Sequence, residues 1–188
     1  YIHHLATICT KSERVADFIH LGVVEYCTGV NGAPIVRSAF EFPRATTDIL
    51  PISVVAENPL RMEFQQRGFF DQDRDEMIQR DVELPVWIEA KSSGGAPACT
   101  AFQHVHGLLE RWIGDHPRSV PPLVLHLAQG LPSDGDLLPR AQAIRSLQTS
   151  NGRVVLVQGY FADSGEDPAE LLHPQSAIIG QSREARTL

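Results

Sequence analysis

The side chains best suited to catalysis or metal binding in these 188 residues are eight histidines and three cysteines, and their spacing leaves few able to cooperate. His104 and His106 stand two apart in a helix-patterned segment, so they project about 200° apart around its axis and cannot grip one ion from a shared face. His3 and His4 are adjacent and diverge by about 100° if helical. Cys99 and His106 share roughly one side of that segment, but two turns, or about 10 Å, separate them. That distance is too long for a thiol–imidazole pair. His126 alternates within an apolar run, the pattern of a satisfied core histidine rather than a general base. Cys9, Cys27 and Cys99 lie far apart without CxxC spacing, which predicts buried reduced thiols rather than a zinc site or a disulfide framework. No GxSxG elbow, GxxxxGK[ST] loop or GxGxxG turn is present. Asp134 and Asp136, in Pro132-Ser133-Asp134-Gly135-Asp136, read as a turn leading to a helix N-cap, where aspartate oxygens accept from free amides.

The elements that must hold these residues follow from periodicity. At 43% hydrophobic and 21% charged, the chain has apolar material for one globular domain spanning 1–188. A net charge of −7 argues against nonspecific nucleic-acid or anionic-membrane binding, both of which need basic surface. The longest apolar runs are strand length, far below the roughly 20 residues that cross a bilayer, and nothing resembles a signal peptide. A soluble cytoplasmic protein is the expectation. Residues 1–9 read as the end of a helix, and 17–30 as a strand apolar on both faces. Asn31-Gly32 predicts a turn into a second, antiparallel strand over 34–40. Residues 42–81 are Pro-punctuated and charged, with two helical turns expected after Pro51. The run Asp71 to Glu76 reads there as a solvated loop or hairpin tip. Residues 82–90 have strand composition, and 92–97, with Ser92 and Ser93 as filler, form a loop into an amphipathic helix over 98–113. A compact strand at 123–128, a helix at 137–147 capped by Asp136 and a buried strand at 154–161 complete a crossover between parallel strands. A weak helix is expected after Asp167-Pro168. In such α/β sheets ligands bind beyond the carboxyl ends of the strands, which singles out the loops 92–97 and 129–136.

The ordered segments GVVEY, LPISVVAENPLR, LPVWIEAKSSGGAPACTAFQHVHGLLERWI, PPLVLHLAQGLPSDGD and GRVVLVQGYF resemble bacterial stand-alone von Willebrand factor A (vWA) domains over essentially the whole chain. Members of that family commonly carry versions of NPLR, of GGTPM before the long helix and of ITDGxxTDGDP. The resemblance implies a Rossmann-like, doubly wound, mostly parallel sheet with one antiparallel edge strand. It also implies a metal-ion-dependent adhesion site, in which a DxSxS motif, a threonine and an aspartate supply hard oxygen ligands to Mg²⁺. At the matching positions this sequence has Ala96 for the threonine and Gln129 for the aspartate. A methyl group cannot ligate, and a neutral amide binds Mg²⁺ far more weakly than a carboxylate. No DxSxS is present, and the first central strand of the fold, expected between 17–30 and 123–128, has no counterpart in the sequence. Its place must be filled by residues ahead of Tyr1 or by another chain, because unpaired edges inside a sheet are costly.

These readings predict a non-catalytic protein-interaction module with a degenerate, metal-free adhesion site. Gly95, Ala96, Gln129 and Asp134 form its expected partner-binding rim, with no catalytic residue and no cofactor. The resemblance implies adaptor work in multiprotein assemblies beside an ATPase, kinase, phosphatase or protease. The alternatives are a Mg-dependent binder whose ligands lie upstream of Tyr1 and, further off, a small hydrolase.

Overall fold

The computed structural model describes residues 2–12, 14–42, 47–71, 75–89 and 94–161. In chain order the elements are α1 (Ile2–Ile8), β1 (Thr10–Lys11), β2 (Arg14–Val15), β3 (His20–Leu21), β4 (Val24–Thr28) and β5 (Pro34–Ser38). β6 (Leu50–Pro51), α2 (Ile52–Ala56), β7 (Arg61–Asp71), β8 (Glu76–Val86) and α3 (Ala98–Asp115) follow. β9 (Leu123–Ala128), α4 (Leu138–Ser146), β10 (Gln148–Thr149), β11 (Gly152–Arg153) and β12 (Val155–Tyr160) close the sequence of elements. Among the described residues this is a mixed α/β architecture with four helices and mostly short strands in two-stranded ladders. No helix among them is long and apolar enough to cross a membrane.

The chain divides into two compact units, Tyr1–Val23 with Ser38–Lys91 and Val24–Arg37 with Ser92–Leu188. In the first, Ala6, Cys9 and Ile52 form one buried cluster and Phe40, Leu50, Val55 and Trp87 another, with Leu21 packed against both. The proline-led helix expected after Pro51 is present as α2, and the Asp17 carboxylate accepts from the Ser53 amide in its first turn. The strand predicted over 17–30 is broken into β3 and β4. A Cβ at Gly22 would lie 2.8 Å from the Asp48 carbonyl oxygen, so the chain at the break runs tightly against another backbone segment. The irregular text expected over 42–81 is instead largely ordered. β7 and β8 form an antiparallel hairpin of 11 residues per strand, in register from Arg61↔Val86 to Asp71↔Glu76. Of the strand expected at 82–90, residues 82–86 form the second half of β8, while 87–89 are not strand and 90 lies outside the described residues. The acidic-basic run falls at the hairpin's far end, though its residues 72–74 lie outside the described residues, as does the helix expected after Asp167-Pro168.

In the second unit β4 and β5 pair through the expected turn. Gly29 donates to the Ala33 carbonyl, Asn31 Oδ1 accepts from the Ala33 amide, and Gly32 sits at φ 78°. β9 and β12 form the one parallel pair among the described residues, from Leu123↔Val155 to Ala128↔Tyr160, and α4 lies between them in sequence. α3 buries Ala101, Phe102, Leu108 and Leu109, close to the predicted apolar stripe, and Asp136 accepts from the Leu138 amide at the start of α4. On the opposite side of the parallel ladder, Leu123, Leu125, Leu127, Val155 and Val157 are all at least 45% exposed. Parallel strands normally bury both faces, so this face is unusual in being uncovered among the described residues.

Candidate functional site

The second unit contains a depression of about 440 Å³ lined by residues 24–27 of β4, 94–96 of the loop into α3, and 127–129 at the carboxyl end of β9. Its position is set by local packing. Gly94 has φ 65°, and a Cβ there would sit 2.9 Å from the Thr28 carbonyl oxygen, so only glycine lets the loop lie on the end of β4. At Gly95 a Cβ would meet Ser133 Oγ at 3.0 Å and Thr28 Oγ1 at 3.1 Å. The Ala96 carbonyl then accepts from both the Ala98 and Ser133 amides, at 2.8 Å each, tying the loop before α3 to the loop after β9. Gly95, Ala96 and Gln129 are thereby brought to one depression.

Asp134 is placed differently. It is absent from the described lining and turns to the start of α3, where one carboxylate oxygen accepts from the Cys99 amide at 2.9 Å. The other accepts from the Thr100 amide and hydroxyl, each at 2.8 Å. Partial burial alone would raise the Asp134 pKa; these bonds outweigh it and hold the carboxyl below the usual aspartate range. The helix has no side-chain cap from its own preceding residue, Pro97, so an acid 35 residues from Cys99 in sequence supplies the cap in its place. Cys99 is pushed up by burial and by the Asp134 charge, with Arg140 opposing, which keeps the thiol protonated and poorly nucleophilic.

His126 lies on β9 with its side chain 7% exposed. Its Nε2 is 2.7 Å from the Tyr26 hydroxyl of β4, and the Phe102 ring of α3 meets it edge-on at 4.8 Å between centroids. Burial lowers its pKa, with the neighbouring Gln158 side chain opposing, while burial and the Asp134 charge raise that of Tyr26. The ring therefore stays neutral at pH 7, in keeping with a core role. His106 pairs with Glu110 one turn on, at 3.3 Å. Among the described residues no three His, Cys, Asp or Glu side chains converge as a metal cage. Cys9 is buried as expected, whereas Cys27 and Cys99 are only half-buried, and all three are free thiols. Ser92 and Ser93 lie outside the described residues.

Two contributors escape a reading of the sequence alone. Thr28 forms the floor under Gly94 and Gly95, and Thr100 shares the Asp134 carboxylate. The Gly94-Gly95 pair is the signal for the first, since consecutive glycines mark a close backbone approach. No family model, curated protein or solved structure matches the chain.

Proposed function

We propose that the protein is a vWA-like interaction module that binds another protein without a bridging metal, on a doubly wound sheet of that family's kind. The observation that carries this reading is that Ala96 and Gln129, the positions matching the family's metal-ligating threonine and aspartate, border one depression at the carboxyl end of β9. A methyl and an amide there offer shape and neutral hydrogen bonding in place of an anionic oxygen shell. Of the acids that could substitute, Asp134 has both oxygens engaged by the first turn of α3, and Glu25, in the lining itself, is paired with Arg37. Recognition then rests on direct contacts along the rim of Gly95, Ala96 and Gln129, with Asp134 fixing the loops behind it. By resemblance to the vWA family, the partner is a component of a cytoplasmic assembly such as an ATPase, kinase, phosphatase or protease. Catalysis is not expected of it.

A photo-crosslinking amino acid at Gln129, with the same group at Phe64 of the β7–β8 hairpin as control, tests the reading in extracts treated with EDTA. A discrete adduct from position 129 that position 64 does not give is the expected result. Adducts that form at 129 only when Mg²⁺ is restored would replace this reading with the Mg-dependent one.

A further inference from the structure

We infer that one face of the β7–β8 hairpin is a docking surface for a basic amphipathic helix of another protein, a site that does not rest on the interaction-module reading. Residues directly opposite in an antiparallel ladder share a face. The register therefore puts Met62, Phe64 and Phe70 of β7 on the same side as Met77, Asp81 and Glu83 of β8. The contact at Gly68 agrees: a Cβ there would lie 2.9 Å from the Met77 methyl, which folds across the ladder into the room that glycine leaves. The opposite face holds Ile78, Val82 and Leu84, all half-buried. The large apolar groups of the first face are instead in solvent, since Met62, Phe64, Phe70 and Met77 are between 46% and 74% exposed. At about 200 Å² for a whole side chain, these four leave roughly 500 Å² in water, an amount that marks an interaction site rather than scattered exposure.

Backbone chemistry and charge choose the occupant. A sheet face presents side chains and no free backbone groups, so an extended guest lying on it would keep unpaired amides. A helix arrives with its backbone already bonded, and its apolar stripe suits aromatic rings and adaptable methionines. Asp81 stands opposite Gln66, between the cluster of Met62 and Phe64 and that of Phe70 and Met77, while Glu83 stands opposite Phe64. Both carboxylates are exposed, and neither enters an ion pair among the described residues. The strands' three arginines, Arg61, Arg67 and Arg80, all fall on the opposite face, where Arg61 pairs with Glu63. The exposed face thus joins two anions to its apolar groups and carries no cation. That complements a helix with lysines or arginines beside its apolar stripe, and it disfavours acidic helices, nucleic acid and anionic membrane.

Fluorescence anisotropy of the full chain with three labelled synthetic peptides tests this. The first is a leucine–lysine helix of about 18 residues with its leucines along one stripe, the second its leucine–glutamate counterpart, and the third a leucine–lysine peptide of the same composition in strict alternation. The basic helix is expected to bind, with affinity falling at least tenfold in Phe64→Ser and at least threefold in the double variant Asp81→Asn with Glu83→Gln. Arg80→Gln, on the opposite face, should not weaken it. The altered side chains are all exposed, so each variant should keep the wild-type Tm, measured alongside. The acidic and alternating peptides should need at least tenfold more protein. No binding of the basic helix, or equal binding of either other peptide, overturns the inference. So does an affinity that Phe64→Ser leaves unchanged, which would show attraction to the net charge alone. Self-association of the protein that Phe64→Ser abolishes overturns it too, by making a second copy the occupant. Failure here would leave the Gln129 cross-link and its reading standing, and loss of that cross-link would leave this surface standing.

Discussion

Replacing Asp134 by alanine should weaken the protein and, at the same time, make one thiol more reactive. The carboxylate accepts from the amides of Cys99 and Thr100 and from the Thr100 hydroxyl, all at 2.8 to 2.9 Å. Loss of an N-cap acceptor costs about 1 kcal/mol, and loss of a negative charge at a helix N-terminus adds about 0.5 kcal/mol when the group is solvent-exposed, as Asp134 is. The sum, about 1.5 kcal/mol, corresponds to a fall in Tm of about 3–6 °C for a chain of this size. Asp134→Asn keeps one acceptor oxygen and should lose roughly half as much. The gap between wild type and variant has a defined pH dependence. Because the folded pKa is depressed, the contribution is present above the unfolded value of about 3.9 and is lost as pH falls through the folded one. Urea unfolding at pH 7 and pH 3 reads this directly. The independent readout is Cys99: with the Asp134 charge gone, one of the causes holding its thiol protonated disappears, so it should react faster with a disulfide reagent at pH 7.5. An unchanged midpoint, or a slower thiol, would refute the placement of Asp134 at the start of α3.

Gly94→Ala should cost more than Gly95→Ala in urea unfolding, since the first combines a positive φ with a Cβ 2.9 Å from a backbone oxygen while the second meets mainly side-chain atoms at 3.0 to 3.1 Å; equal costs would contradict the loop geometry. Tyr26→Phe removes the hydroxyl partner of His126 and should destabilise by about 1 kcal/mol. NMR titration of the His126 ring should give a midpoint below 6.5. Its contribution to stability is full above that unfolded value and falls with pH below it, as the unfolded chain takes up a proton that the buried ring refuses. A midpoint above 6.5 would show the ring to be solvated or paired with an acid.

Local rules made much of the second unit legible in the sequence. Turn chemistry announces the Asn31-Gly32 connection, apolar spacing gives α3, and a short apolar run between polar loops gives β9 within its observed bounds. The long β7–β8 hairpin was hidden because neither strand alternates cleanly: Phe69 and Phe70 are adjacent, and the ladder exposes large apolar residues such as Phe64 at 74% and Met77 at 64%. A ladder with no buried face gives periodicity nothing to record. At the site, the rule that ligands bind at strand ends singled out the loops on either side of the depression, but the close approach of Gly94 and Gly95 to Thr28 was not read from the sequence. The use of Asp134 as a cap for α3 could not be read, because its partners lie 34 and 35 residues away and local patterning sees only the turn around it.

Calorimetric titration of Mg²⁺ and Mn²⁺ into the protein tests the central claim most directly. With a methyl at Ala96, an amide at Gln129 and Asp134 committed to α3, no saturable heat is expected at millimolar cation, and Gln129→Asp should be the change that begins to restore it. Micromolar binding by the unaltered protein, lost on Gln129→Ala, would contradict the account.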